Sequence, residues 1–361
     1  MVQFLLEGLR ADERFEVHHV DARVSDNLKN VGSFCPQKFI RLAKCILQAW
    51  WIRLRFGRMA FYYVPAPAKR SAIMRDWVVM ALCRPLFPEI ILHWHAYGLG
   101  EWTKKRGDYQ SLFTQLALRK AKLSIVLTEN NKSDADVFEP KKCVVVPNGI
   151  PDPCPDFVEK VLPLRMGRWG KSIASRAVRF LYMAQCTRAK GLFAALEAFA
   201  LLKNVLASDQ RVHLTVAGEF VDTNEEELFW KRVNTWDFQQ SDGRSAVDYI
   251  GFLGGEAKRC AFVCHDCLIV PSHWESFGLT VIEAAAYGMP VVISEQPNLL
   301  QLLPPTLVFS APWHEPRKMA QAMLKASAFN KFIQLRRAFV QKYQSKLFKR
   351  NICSEIFGQI K

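Results

Sequence analysis

A chain of 361 residues, half of them hydrophobic, is too apolar for disorder and long enough for two domains with a core each. A net charge of +15 at pH 7 asks for an acidic partner, whether nucleic acid, anionic membrane or phosphorylated substrate; no helix-turn-helix, zinc-finger or RNA-binding signature accompanies it. No run approaches the ~18 apolar residues of a spanning helix, Glu7 interrupts the apolar start that a signal peptide would need, and ten cysteines in apolar contexts fit reduced thiols of a cytosolic protein.

Met1 to Leu9 reads as the end of a helix and Phe15 to Asp21 as a strand. From Asn27 to Arg75 there is no Asp or Glu, while Lys29, Lys38, Arg41, Lys44, Arg53, Arg55, Arg58, Lys69, Arg70 and Arg75 are all present. Within that run, Pro36 to Arg58 carries Ile40, Ile46, Leu47, Trp50, Trp51 and Leu54 at helical spacing. Two readings fit: a core-packed helix with a solvated basic face, or a membrane-surface helix whose Trp and Arg side chains suit the headgroup zone.

Strands are expected at Phe61–Val64, Glu89–His95, Leu123–Leu127 and Lys142–Val146, with helices near Ser71–Leu86, Ser111–Ala121 and Asp134–Phe138 between them. His93 and His95 share a strand face, and His95 stands at the carboxyl end, where ligands of open α/β sheets gather. Pro147-Asn148-Gly149-Ile150 is a turn, and Pro151 to Ser175, rich in Pro, Gly and Arg, reads as linker.

The second half opens with a strand at Arg179–Ala184, a loop Gln185–Gly191 and a helix Leu192–Leu202. Arg188 and Lys190 stand where that helix begins, which is unfavourable for cations unless an anion lies between them. Strands follow at Val212–Ala217 and Val247–Phe252. Cys260, Cys264, His265 and Cys267 span a helix end and a buried strand, which reads as core packing and not as a metal site. Asn330 to Lys361 is helical and basic.

The stretch from Cys267 to Ser294 is the most informative. An apolar strand stops at Pro271, a short polar loop follows, and a helix from Leu279 to Tyr287 ends at Gly288 before the strand Val291–Ile293. Phe277, Gly278 and Leu279 place backbone N–H groups at a helix N-terminus, where the dipole favours a phosphate. Glu283, one turn into the helix, can accept two hydrogen bonds from a ribose diol, and Glu275 can reach hydroxyls beyond the phosphates. Two acids flanking a phosphate cradle describe a nucleotide sugar; Lys190 and Arg188 are either two solvated cations or partners for its diphosphate.

This string resembles the donor-site signature of the retaining, metal-independent glycosyltransferases of family 4 (group 1), with two Glu separated by seven residues. The resemblance implies GT-B architecture, an α/β fold of two Rossmann-like doubly wound domains facing across a cleft. It implies an acceptor-side domain over 1–150, a linker over 151–175, a nucleotide-sugar domain over 176–344, and a terminal helix over 345–361 crossing back to the first. It places His95 at the donor sugar and Ile250 and Gly251 near the nucleobase. In the family a strand and glycine-rich loop precede the first helix; this sequence has neither, so extra residues ahead of Met1 are expected in the functional form. The family's usual Arg five residues before Lys190 is here Gln185, a position Arg188 would serve from one turn away.

The expected function is therefore retaining transfer of a sugar from a nucleotide-sugar donor to a glycan or lipid-linked acceptor, in polysaccharide, glycolipid or other cell-surface glycan synthesis. No carboxylate nucleophile is evident, so a front-face transfer is expected, with no cofactor, no metal and no nucleic acid. The expected place is the cytoplasm, peripheral at the inner, anionic membrane face. A non-catalytic nucleotide-sugar-binding or scaffold protein of the same fold is the alternative, favoured by Gln185.

Overall fold

The computed structural model describes residues 2–22, 36–169, 177–206, 210–236, 238 and 245–360. The chain divides into two compact units, Met1–Gly149 with Ser345–Lys361, and Ile150–Gln344.

The first unit runs α1 (Val2–Arg10), α2 (Pro36–Phe56), β1 (Ala60–Tyr63), α3 (Arg70–Cys83), β2 (Glu89–His93), α4 (Leu99–Arg106), α5 (Tyr109–Leu118), β3 (Leu123–Val126), α6 (Lys132–Ala135) and β4 (Cys143–Val145). Its strands form a parallel sheet in the order β1-β2-β3-β4. Side chains alternate across it, as the pleat requires. Ile90 and Leu92 pack with Ile46 of α2, Met80 of α3 and Leu118 of α5, while Ile91 and Ile125 pack with Leu5 and Leu9 of α1 on the other face. Both faces are covered, which is why the strands read as continuous apolar runs.

Phe15–Asp21 is not a strand. Its alternation is real: Phe15 and Val17 join the cluster under α1, and Val20 the opposite one. A strand also needs a neighbour for its N–H and C=O groups, and among the described residues β1 pairs with β2 alone. The segment supplies side chains without a ladder.

The second unit contains α7 (Leu162–Trp169), β5 (Val178–Met183), α8 (Leu192–Val205), β6 (Val212–Ala217), α9 (Thr223–Thr235), β7 (Val247–Gly251), α10 (Gly255–Cys264), β8 (Cys267–Val270), α11 (Leu279–Ala286), β9 (Val291–Ser294), α12 (Pro297–Leu300), β10 (Val308–Ala311), α13 (Pro316–Ser327) and α14 (Phe332–Tyr343). Its sheet is parallel in the order β10-β9-β8-β5-β6-β7, the doubly wound pattern. The chain reverses direction of travel between β5 and β8, which are hydrogen-bonded neighbours.

Part of the expected linker is structured and belongs to this unit. A π-helical turn at Phe157–Val161 leads into α7, burying Phe157, Val161 and Arg165. Arg165 donates to the carbonyls of Tyr287 (2.7 Å), Phe262 (2.8 Å) and His265 (3.2 Å), the unsatisfied C-terminal groups of α11 and α10. Composition alone makes this stretch look solvated, because an arginine that caps two helices cannot be told from an exposed one. Burial lowers the Arg165 pKa to about 9. Residues 170–175 of that expected linker lie outside the described residues.

The helical tail breaks at Gln344, where the backbone turns extended, and α15 (Ser345–Ile360) joins the first unit, laying Phe348, Ile352 and Ile356 over the α1 face of its sheet. Among the described residues, no helix is long and apolar enough to cross a membrane.

Candidate functional site

Ligands of a doubly wound sheet lie outside the carboxyl ends of the strands where the order reverses. In the second unit those ends are Met183 and Val270, so the loops 184–191 and 271–278 meet there.

They touch closely. Gly191, the N-cap of α8, has φ +78°, and a Cβ on it would stand 2.0 Å from the Pro271 carbonyl oxygen. Only glycine allows both the left-handed backbone and that approach. His273 then donates its backbone N–H to the Ala189 carbonyl at 3.0 Å, tying the loops together. Tyr182, fully buried at the end of β5, donates its hydroxyl to the Gln185 carbonyl at 2.9 Å.

This framework brings two of the expected residues into contact. Lys190 Nζ lies 2.7 Å from Glu275 Oε2, with the Glu275 side chain 18% exposed. Asn298, at the start of α12, donates its side-chain N–H to the Glu275 carbonyl at 2.9 Å and fixes the backbone behind that carboxylate. Arg188 is exposed at the rim; its backbone N–H donates to Glu225 at 2.7 Å, and its guanidinium lies 5.4 Å over the Phe193 ring. The same guanidinium, after burial, depresses the pKa of His273, whose ring stacks 3.6 Å from that of Trp313. Gln185 is exposed, and its role is carried in this structure by its carbonyl.

Helix α11 begins at Gly278, with φ +86°, where a Cβ would stand 2.6 Å from Leu299. Val281 donates its N–H to the Gly278 carbonyl at 3.1 Å, and the two N–H groups before it are those that a helix N-terminus offers to an anion. Phe277 is buried, with its ring edge-on to that of Tyr343, and Leu279 is partly exposed. One turn on, Glu283 Oε1 accepts from Lys258 Nζ at 2.6 Å, whereas its other oxygen is buried with no hydrogen-bond partner among the described residues. That oxygen is an unused acceptor closed to solvent, so a hydroxyl meets it only once the Glu283 side chain turns.

Ile250 and Gly251 close β7: the Ile250 side chain is exposed, and Gly251 has φ +71° with its carbonyl accepting from Gly218 at 2.8 Å. His95 belongs to the first unit, just beyond β2. Its ring sits 4.1 Å from that of buried His93, which contacts the Tyr62 hydroxyl through Nδ1. Burial lowers the His95 pKa to about 4. Cys260, Cys264, His265 and Cys267 do not converge. Cys260 and Cys264 face solvent and Cys267 the core, while His265 is bonded to Ala261 and Thr215.

Lys258, Asn298 and Glu225 escape a reading by sequence. Each meets its partner through the fold, 25, 23 and 37 residues away, and no local spacing marks them.

Residues 168–341 match the family model described as glycosyl transferases group 1, within the second unit. An uncharacterized glycosyltransferase of Methanocaldococcus jannaschii is 33% identical over 60 residues, 17% of this chain and 15% of that protein. The chain spans about a sixth of the length of the curated relatives it matches first. The sucrose-phosphate synthase of Thermosynechococcus elongatus superposes with a TM-score of 0.68 at 16% identity, covering 98% of this chain and 91% of that one. HepE of Anabaena, in complex with UDP-glucose, gives 0.63 at 14% identity, covering 88% and 81%. At these identities the likeness shows the fold: this chain is an α/β protein of two parallel-sheet units, built as the GT-B glycosyltransferases are.

Proposed function

We propose that the protein is a retaining glycosyltransferase. It moves a sugar from a nucleotide-diphosphate sugar to a glycan or lipid-linked acceptor, in polysaccharide, glycolipid or other cell-surface glycan synthesis on the cytoplasmic side of a membrane. The observation that carries this is the contact of Lys190 with Glu275 at the point where the second sheet reverses, beside the open N-terminus of α11. The group 1 family match over 168–341 and the fold shared with a UDP-glucose-bound protein support it.

On this reading the amides of Phe277 to Leu279 and Arg188 hold the diphosphate, Glu283 takes the ribose, and Ile250 and Gly251 border the base. Lys190 neutralises the charge that grows on the leaving phosphate as the glycosidic bond breaks, an electrostatic term strongest where water is excluded. Glu275 orients Lys190 and the sugar hydroxyls. The departing phosphate accepts the acceptor's proton on the face from which it leaves, so configuration is kept without a carboxylate nucleophile. The positive charge comes from side chains and amides, with no metal assigned. For His95 the functional assignment rests on the resemblance and on its place at the carboxyl end of β2.

Thermal denaturation against a panel of nucleotide sugars tests the reading. One or more should raise the melting temperature, and that donor should release its nucleotide diphosphate when acceptor is supplied, with the product's anomeric proton matching the donor's. Stabilisation without release under any acceptor supports the non-catalytic alternative, to which the exposed Gln185 would point. No stabilisation by any nucleotide sugar overturns both.

A further inference from the structure

The acid-free stretch of sequence folds into more than one basic helix. In the first unit α2, α3 and α5 lie side by side over one face of the sheet. Trp50 of α2 donates its indole N–H to the Leu82 carbonyl of α3 at 3.0 Å, and Trp77 of α3 donates to Thr114 of α5 at 2.9 Å. Inward side chains of all three build the core, yet their outward sides are not polar.

On α2, Leu47, Trp51 and Leu54 are exposed, Leu54 by 77%. On α3, Met74, Val78 and Leu82 are exposed at four-residue spacing, one straight stripe. On α5, Leu112, Phe113 and Leu116 do the same, with Phe113 51% exposed and its ring 5.6 Å from that of Trp77. Three neighbouring helices thus present three adjacent apolar stripes. Exposed apolar surface so contiguous marks an interaction site.

The charges around the stripes identify the partner. On α2 and α3 the stripes run into basic residues at helical spacing, Lys44 before Leu47, Arg55 after Trp51 and Arg70 before Met74, all exposed. Helix α5 is capped at its start by Asp108, which is paired with Arg106, and exposed Lys120 lies two residues beyond its end. Arg55 also lies 5.3 Å over the Trp51 ring. No carboxylate points outward from any of the three helices. Among their residues only Asp76 is acidic, and it is buried against Tyr63, Arg75 and the Ala66 N–H. A second copy of the chain would set this positive face against itself, and like charges disfavour that pairing. Long basic side chains bordering apolar stripes let the apolar groups enter a hydrocarbon boundary while the cations stay at the phosphates.

We infer that the outer face of α2, α3 and α5 is a docking surface for an anionic lipid bilayer. It deepens the membrane-side reading given above by naming the surface, and it stands on the first unit alone. Donor-induced stabilisation, read through the second unit, separates its failure from failure of the transferase reading.

Co-sedimentation of the whole chain with vesicles tests it, using phosphatidylcholine alone and phosphatidylcholine mixed with phosphatidylglycerol. Binding should require the anionic lipid and weaken as salt shortens the Debye length below about 8 Å. Leu112→Ser with Phe113→Ser on α5 should weaken it by about tenfold or more, without lowering the melting temperature. Lys44→Gln with Arg70→Gln should cost roughly fivefold per residue, and stands in should the α5 variant misfold. Undiminished binding by either variant, or equal binding to neutral and anionic vesicles, overturns the assignment. So does a concentration-dependent dimer, formed without lipid and abolished by the α5 substitutions, which would make the face an interface between copies.

Discussion

Lys190 Nζ stands 2.7 Å from Glu275 Oε2, so the cation expected to meet a diphosphate is already held by the acid expected to meet the sugar. The pair joins two loops whose closeness depends on Gly191 and on the His273–Ala189 hydrogen bond. Preorganisation of this kind matters because a donor aimed beforehand at developing charge need not reorient during the reaction. Lys190→Ala should therefore lower kcat by on the order of a hundredfold or more, with a smaller rise in KM. Glu275→Gln leaves the ammonium without its ionic partner and should fall between. Combined, the two should cost less than their sum, since each disables the same unit. Steady-state kinetics with the donor found by thermal shift checks this; a pure KM effect would make Lys190 a binding residue and Arg188 the stronger catalytic candidate.

Glu283 divides its oxygens between Lys258, at 2.6 Å, and a buried position with no partner among the described residues. A ribose hydroxyl donating there, once the side chain turns, would complete it. Glu283→Ala should weaken nucleotide-sugar binding by about 1.5–3 kcal/mol for each charged hydrogen bond lost. Lys258→Met removes the brace and keeps the acceptor, so its effect should be smaller. Calorimetry on both variants decides; equal donor affinity in Glu283→Ala and the parent would sink the ribose role.

The second sheet was legible because buried parallel strands are short apolar runs, and Cys267–Val270 and Val291–Ile293 announce themselves in that way. The loop after the first of these was legible too: a short polar stretch ending in glycine just before an apolar helix is a local pattern, and Gly278 takes a left-handed backbone that glycine adopts without strain. What escaped depends on neighbours. Phe15–Asp21 alternates as a strand does, but it pairs with no ladder among the described residues. Arg165 fell inside the stretch read as linker because its three carbonyl partners lie 97 to 122 residues away. Lys258 is invisible for the same reason, since nothing in its own helix points to Glu283.

Gly191 and Gly251 offer a matched comparison. Both have left-handed backbones, φ +78° and +71°, but a Cβ at Gly191 meets the Pro271 carbonyl at 2.0 Å, whereas at Gly251 nothing lies within 4 Å. Gly251→Ala should cost only the backbone term, about 1–2 kcal/mol. Gly191→Ala carries that term and must also push the two site loops apart, so it should be clearly less stable and should bind donor more weakly. Urea denaturation followed by the donor thermal shift reads both. Equal stability of the two variants would mean that the loops adjust freely, and the close approach at Pro271 would lose its structural role.

Burial holds the His95 pKa at about 4, and His93, 4.1 Å away, is lowered well below its usual value by burial and by His95. An unfolded histidine titrates near 6.5. Between pH 6.5 and 4 the unfolded chain therefore binds more protons than the folded one, and stability rises with pH across that window. The contribution of His95 is complete above pH 6.5 and is lost as pH falls toward 4, at up to about 1.4 kcal/mol per pH unit. Carboxylates titrate in the same range, so the informative quantity is the difference between the parent and His95→Gln. The parent should lose melting temperature faster on acidification, and the gap should change steadily from pH 6.5 to pH 4. His93 faces the same ring and shares the titration, which makes the measured values those of the pair. An NMR titration of the imidazole Cε1 protons gives those values directly. A midpoint near 6.5 for His95, with a pH-independent difference between the two proteins, would show that the ring is open to water, leaving it poorly placed to work as a neutral hydrogen-bonding group at the end of β2.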